Sequence, residues 1–531
     1  MNKIIKNSIK TLSMCLLATT SFIGTACSDD DAPITDYSWN IEGNTTVNIM
    51  PERYQLQRNP MSGWVIYAGI GSGMMMDFWD LYDNFESSEG TVKVSDYGNT
   101  LYVRGLWSNF NPEKGKYVWD ESVQTEPAKR FRMLVEGAKE RNLKLAFTFV
   151  CDSRDKHEDA CPDYVKEAGA EGFTTTTGSV NVWTPYPDDP IFQREYEEFL
   201  TAFAAKYNDP DVTQFVSGFG LGKWGETHTL KYSTGDEAPR QAVFEWITDV
   251  MSRLFTKVPI MINYHRCLLS GKEFSDTDTD VAADMVKRAV AKGFCLRHDA
   301  FGMTGYYEQW EKDFARAYRY RLPIIMEGGW ITGAHHRYWI DPSGKYREGH
   351  SEDVRLGEYE ESRNAHVNMM DLRTGDEVAS WFNTSFDLVN RFVREGGYRL
   401  YPTKVSFVNK ARQGELVSMQ HNWRNLGWGY CPTNIPQWKG KYKVCIALMD
   451  TGHSIVKKQI AEEADLSAWV QGCDGHYTTN ISLEGLQKGS YTWLIGLVDT
   501  TKAYQPGLKM AVDKNLLFDG WCKVGTLEIG K

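Results

Sequence analysis

Beyond its first two dozen residues the chain has no apolar run approaching the ~18 residues that a membrane-spanning helix requires, so no later transmembrane helix is expected. Basic charge is also scarce. The 59 Lys and Arg face 70 Asp and Glu for a net charge of -11, and no basic stripe is visible, so nucleic acid is not an expected partner. Ten cysteines are scattered without a Cys-x-x-Cys pair or a histidine at zinc spacing, which argues against a metal cluster. No Gly-x-Ser-x-Gly elbow supports acyl chemistry, and no His-Glu-x-x-His motif supports zinc hydrolysis. The run Gly69-Ile70-Gly71-Ser72-Gly73 lacks the helix-opening context and acidic partner of a dinucleotide loop. The expectation is no metal and no cofactor.

What is present begins with Met1-Asn2-Lys3-Ile4-Ile5-Lys6, an apolar stretch to Ile23, and Gly24-Thr25-Ala26-Cys27: a basic region, a short apolar region and small residues before a cysteine. This resembles a bacterial lipoprotein signal. The resemblance implies removal of residues 1–26, lipidation of Cys27 and an outer-membrane anchor. Ser28-Asp29-Asp30-Asp31 resembles an acidic surface-export tag and also reads as a solvated tether, two compatible readings. Cys151 and Cys161 bracket a short polar segment and are read either as a disulfide or as two buried thiols.

From about residue 60 to 397, strand-like runs alternate with amphipathic helical stretches, the pattern of a parallel α/β architecture. The expected strands are 63–67, 101–106, 144–150, 214–221, 258–264, 294–303, 322–326 and 377–382, with a helix over 352–370 before the last. Eight such units predict a (β/α)8 TIM barrel. After Tyr401-Pro402 short alternating runs separated by Gly, Asp and Asn predict a β-sandwich, read as a packing module for the barrel. The expected division is a signal over 1–26, a flexible tether over 27–48, a barrel over 49–400 and a sandwich over 401–531.

Trp107-Ser108-Asn109-Phe110-Asn111-Pro112-Glu113-Lys114-Gly115-Lys116-Tyr117 resembles the segment after the second strand in retaining glycosidases of clan A. The Asn59-Pro60 opening, the Trp224-Gly225-Glu226 motif and the terminal Gly520-Trp521 resemble a family of secreted bacterial barrel-plus-sandwich proteins of unknown function with a glycosidase-like fold. In clan A the acid/base follows the fourth strand and the nucleophile the seventh. The resemblance therefore places the acid/base at Glu226 and the nucleophile at Glu327, and implies a carbohydrate substrate. One departure stands out: clan A usually has Asn before the acid/base, and here Gly225 occupies that position.

The residues themselves support the pairing. A glutamate at the end of an apolar strand is costly unless something holds it, and barrel sites gather at the C-terminal strand ends. Retaining hydrolysis needs one ionised carboxylate and one protonated carboxyl about 5–5.5 Å apart, with Trp224 and exclusion of water expected to raise Glu226. Expected substrate-binding neighbours are Arg104, Trp107, Trp224, His228, Asn263, Tyr264, His265, Asp299, Trp330 and Trp381. Arg104 is expected to keep the nucleophile ionised, and Trp381 to end the eighth strand as a sugar-stacking ring. The composition, 13% aromatic with 18 Trp, suits stacking on sugar C–H faces. The functional expectation is a cell-surface glycoside hydrolase, within a surface glycan-uptake complex on one reading. The rival is a non-catalytic glycan-binding lipoprotein on the same scaffold.

Overall fold

The computed structural model describes residues 43–152, 154, 158–264, 268–270, 279–304, 307–329, 331, 340, 343–373 and 375–530. The signal segment, Cys27, most of the tether, His265 and Trp330 lie outside the described residues. Eight parallel strands close into a barrel: β1 (Gly63–Ile70), β2 (Gly98–Leu106), β3 (Lys144–Val150), β4 (Thr213–Ser217), β5 (Ile260–Asn263), β6 (Phe294–His298), β7 (Ile324–Met326) and β8 (Met369–Leu372). β8 pairs back onto β1 through Asp371↔Val65 and Leu372↔Ile66, so no strand edge remains open.

The strands are nearly uniformly apolar because both of their faces are buried. Ile66, Val103, Phe147, Val216, Ile262, Leu296, Met326 and Met370 pack outward with the helices. Their neighbours Val65, Tyr102, Ala146, Phe215, Met261, Cys295, Ile325 and Met369 fill the barrel interior. The helix Pro190–Tyr207 illustrates the outer layer. Asp189 caps it by accepting from the amides of Ile191 and Phe192, and Phe192, Tyr196, Phe199, Phe203 and Tyr207 form one buried stripe at helical spacing. Each such ring contributes roughly 1.5–3 kcal/mol by leaving water.

The interior residues belong to one continuous apolar cluster with Tyr398, Leu400, Ile435, Trp438, Tyr442 and the sandwich core. The sandwich therefore closes the N-terminal end of the barrel and leaves the opposite end for a site. Its sheets are Asn44–Asn48, Leu400–Val408, Leu416–Asn425 and Gly475–Ser482 on one side, and a seven-stranded sheet built around Tyr442–Met449, Gly489–Asp499 and Trp521–Gly530 on the other.

Three boundaries differ from the sequence reading. Residues 44–48, expected in the tether, form an edge strand antiparallel to Leu400–Val408, whose unpaired backbone groups they satisfy. The eighth strand is Met369–Leu372, and the expected strand 377–382 lies inside the helix Gly375–Thr384, where Val378, Trp381 and Phe382 repeat at i, i+3, i+4. The fourth strand stops at Ser217, and the residues that follow form a glycine-laced loop. Cys151 and Cys161 are buried thiols rather than a disulfide. No helix among the described residues is long and apolar enough to cross a membrane.

Candidate active site

The alternation that sends apolar side chains into the lower barrel sends polar ones into its C-terminal end. Arg104 follows Tyr102 on β2, Thr148 follows Ala146, Ser217 follows Phe215, Asn263 follows Met261, Arg297 follows Cys295, Glu327 follows Ile325 and Asp371 follows Met369. Asp299, one step beyond Arg297, continues the same register just past β6.

Glu226 arrives differently, on the loop after β4. Gly218, Gly220, Gly222 and Gly225 have φ of 69°, 78°, 76° and 77°, and Trp224, Thr227 and Thr229 are also left-handed, at 60°, 63° and 56°. Non-glycine residues in that region cost about 1–3 kcal/mol each and cluster where a site is being shaped. The loop is pinned by Trp224 N to Asp152 O at 2.9 Å, Thr227 N to Leu221 O at 3.0 Å and Cys151 N to Gly220 O at 2.8 Å. Gly225 explains the departure from the clan A pattern: a Cβ there would lie 2.6 Å from the Phe149 carbonyl oxygen, in addition to the left-handed φ.

Glu226, Asp299 and Glu327 each bring one carboxyl oxygen within 4.8 Å of the others. Arg104 binds Glu226 Oε1 through both Nη1 and Nη2 at 3.1 Å, donates to the Tyr67 hydroxyl at 2.9 Å and to the Trp224 carbonyl, and lies 3.8 Å from Glu327 Oε1. Arg297 donates to Glu327 Oε2, to the Tyr102 hydroxyl at 2.7 Å and to Ser217 Oγ at 2.9 Å. Arg373 Nε lies 3.9 Å from Glu327 Oε1, while its Nη1 donates to the Gly328 carbonyl at 3.0 Å. Asp371 accepts from the Gly328 amide at 3.0 Å. Three carboxyl oxygens this close could chelate a cation by spacing, but three guanidiniums within 4.0 Å already supply the positive charge.

These contacts set the protonation states. Burial raises Glu327, but the charge of Arg297, a hydrogen bond from Asp299 and the charges of Arg373 and Arg104 outweigh it and bring the carboxyl down to about 2. Burial likewise raises Glu226, yet the Arg104 charge and a hydrogen bond from His228 hold it below the ordinary carboxylate range, against the opposing charge of Glu327. Asp299 is pushed well above that range by burial and by the charges of Glu327 and Glu226, and Asp371 by burial and the charge of Glu327. The sequence reading expected Glu226 to be the raised carboxyl; the Arg104 pair overrides burial there. Arg104 was expected to hold Glu327, and its shorter contact is to Glu226, with Arg297 taking the Glu327 role.

The structure brings together Arg104, Trp224, Glu226, His228, Asn263, Asp299 and Glu327. His228 Nε2 lies 3.5 Å from Glu226 Oε2, Asn263 donates to Asp299 Oδ2, and half-buried Trp224 shares a pocket with Arg104, Glu226, Asn263 and Asp299. It does not bring in three others. Trp107 is wholly buried among Tyr164, Phe192, Tyr196 and Phe199. Tyr264 points outward, stacked on Phe314 at 5.3 Å beside His298, because it is one register step from the inward Asn263. Trp381 is buried on its helix against Trp64 at 5.0 Å, with the Arg355 guanidinium over its ring. Sequence reasoning missed Arg297, Asp371 and Arg373. Strict alternation from Cys295 and Met369 would have marked the first two.

The described architecture is a TIM barrel carrying two arginine-paired glutamates and a buried aspartate at its C-terminal end. No family model matches the chain, and no curated protein matches it in sequence. Among solved structures, the chain is similar to the endo-β-1,4-mannanase from Thermotoga petrophila, at 11% identity over 91% of this chain and 98% of that one, with a TM-score of 0.36. It is similar to endo-glycoceramidase II from Rhodococcus sp. (11%, 81% and 99%, 0.36) and to a GH30 endoxylanase from Clostridium papyrosolvens (9%, 82% and 97%, 0.34).

Proposed function

We propose that the protein is a glycoside hydrolase that cleaves an oligo- or polysaccharide with retention, Glu327 acting as nucleophile and Glu226 as acid/base. The observation that carries this reading is the approach of one carboxyl oxygen of each to within 4.8 Å at the C-terminal end of the barrel. That spacing fits a direct displacement, for which about 5–5.5 Å is usual, and is short of the ~6.5–9.5 Å that leaves room for an inverting water. Glu327 suits the nucleophile's role because Arg297, Arg373 and Arg104 keep it ionised while burial strips its water. Arg104 joins the two carboxylates and keeps their mutual repulsion from opening the pair. Trp224, His228 and Asn263 would contact the sugar or orient Glu226.

In the same proposal the activity belongs to an outer-membrane lipoprotein at the cell surface, within a complex that takes up glycans, a reading supported by the lipoprotein-like leader and Cys27. The rival reading, a glycan-binding lipoprotein without catalysis, is favoured by one observation: both glutamates are paired with arginines, which favours the ionised form of each. Purified protein screened against plant, host and microbial glycans, beside Glu226→Gln and Glu327→Gln, separates the two. The hydrolase reading expects cleavage by the wild type, loss of cleavage in both variants and retained binding. Binding without cleavage by the wild type would establish the rival.

A further inference from the structure

A retaining site with both glutamates ionised lacks the proton that the leaving oxygen needs. Glu226 is paired with Arg104 at 3.1 Å and with His228 at 3.5 Å, and Glu327 lies under three guanidiniums, so neither carries it. The third carboxyl, Asp299, has no arginine within 4.0 Å among the described residues. It accepts from Asn263 Nδ2 at Oδ2, and its buried Oδ1 has no hydrogen-bond donor among the described residues. One oxygen of its carboxyl also lies within 4.8 Å of one oxygen of Glu327, and two buried carboxylates held that close repel each other unless one of them takes up a proton.

Resting on the retaining reading above, we propose that Asp299 stores the proton that Glu226 delivers, so that the site works with three carboxyls rather than two. The oxygens of Asp299 and Glu226 lie within 4.8 Å, a gap that one bridging water spans. In the transfer, the O–H bond of Asp299 breaks as one forms to that water, and the water's own proton passes to Glu226. Asp299 becomes the anion, Glu226 becomes neutral, and the net charge is unchanged. Glu226 then gives the proton to the leaving oxygen while Glu327 bonds to the anomeric carbon and the glycosidic bond breaks. Ester formation removes the Glu327 charge, which is one of the charges that favoured a neutral Asp299, so the electrostatic reason for holding the proton fades in the same step. In the second half a water attacks the anomeric carbon, Glu226 takes its proton, Glu327 leaves as carboxylate, and the proton returns to Asp299. Burial and the neighbouring anions independently favour the neutral form of Asp299 at rest.

Infrared difference spectra at neutral pH locate the proton without a substrate. Asp371 is raised as well, so the readout is the difference between wild type and variant: Asp299→Asn should remove one neutral-carboxyl band that Asp371→Asn and Glu226→Gln both keep, and no band lost in Asp299→Asn overturns the proposal. With paired phenyl and dinitrophenyl glycosides of the cleaved sugar, Asp299→Asn should lose about 10²–10³-fold in kcat on the phenyl compound, whose leaving group needs a proton, and less than about 10-fold on the dinitrophenyl compound. Equal losses on both overturn the storage role even if the band is lost. Wild-type protein that cleaves nothing overturns the hydrolase reading instead, and the infrared comparison still judges where the proton resides.

Discussion

Replacing Arg297 by Met tests how the nucleophile is held. The lowering of Glu327 from 4.5 to about 2 corresponds to roughly 3 kcal/mol of preference for its ionised form, and the Arg297 charge is the largest favourable contribution. Glu327 is 1% exposed, so solvent screens little of this. Removing Arg297 leaves the buried Glu327 charge with only the longer Arg104 and Arg373 contacts, at 3.8 and 3.9 Å, and also strips the donor from Tyr102 OH and Ser217 Oγ. The expected cost is about 3–5 kcal/mol of barrel stability at neutral pH. In a Glu327→Gln background the orphaned charge is absent, and Arg297→Met should cost roughly 2–3 kcal/mol less. The four proteins of this cycle are compared by urea unfolding followed by tryptophan fluorescence. Equal costs in the two backgrounds would refute the claim that Arg297 holds Glu327, whatever the absolute size of the loss.

Gly225→Asn, which restores the usual clan A residue, should destabilise by about 2–4 kcal/mol and lower activity, because its Cβ meets the Phe149 carbonyl at a left-handed φ; thermal denaturation and rate measurements check both. Glu327, lowered in the fold, contributes stability that is present above its unfolded value of 4.5 and lost as pH falls toward about 2. Glu327→Gln should therefore flatten the acid limb of a stability–pH curve by up to about 3 kcal/mol, and an unchanged limb would contradict this. Asp299 is raised, so its contribution runs the other way: it is full below the unfolded value of 3.8 and lost as pH rises through the elevated one. In Asp299→Asn the fall in stability toward higher pH should shrink, as measured by urea midpoints. Trp381→Ala should cost about 3–5 kcal/mol while leaving KM unchanged at temperatures where the variant is folded; a large rise in KM would return this ring to the substrate.

The barrel was legible because seven of its strands are apolar runs flanked by helices with clear spacing, and the sandwich because its strands alternate. The eighth strand was not. Met369–Leu372 is four residues long and closely follows the helix Ser351–Asn364, so its apolar pair reads as a continuation of that helix. The helical spacing of Val378, Trp381 and Phe382 held the correct assignment, but a run of six mostly apolar residues hides it. Glu226 and Glu327 were found because acid residues stand out beside apolar strands. Arg297 and Asp371 lie within or at the end of strands, where parity rather than contrast marks the inward side, and a misplaced eighth strand removes the parity of Asp371 altogether. The protonation of Glu226 could not be read from Trp224 as a neighbour in sequence, because its deciding partner, Arg104, is 122 residues away.

The two glutamates are mounted on different kinds of element, and the difference matches what their proposed roles demand. Glu327 directly follows β7, with its amide donating to His298 O and its carbonyl accepting from Phe301 N, each at 3.0 Å. A nucleophile must meet one carbon in one geometry, and a barrel strand supplies that constraint. Glu226 stands nine residues beyond β4 on a loop with seven left-handed residues from Gly218 to Thr229, and its side chain keeps 14% exposure where that of Glu327 keeps 1%. A proton donor must reach a leaving oxygen beyond the scissile bond, and a loop that carries Glu226 past the strand end with its side chain partly exposed gives it that access. The strain of Trp224, Thr227 and Thr229 is sustained by the rigid base beneath it, where the sandwich plugs the far end of the barrel and joins its interior to a second core. Removing that plug should therefore disturb the proton donor before the nucleophile.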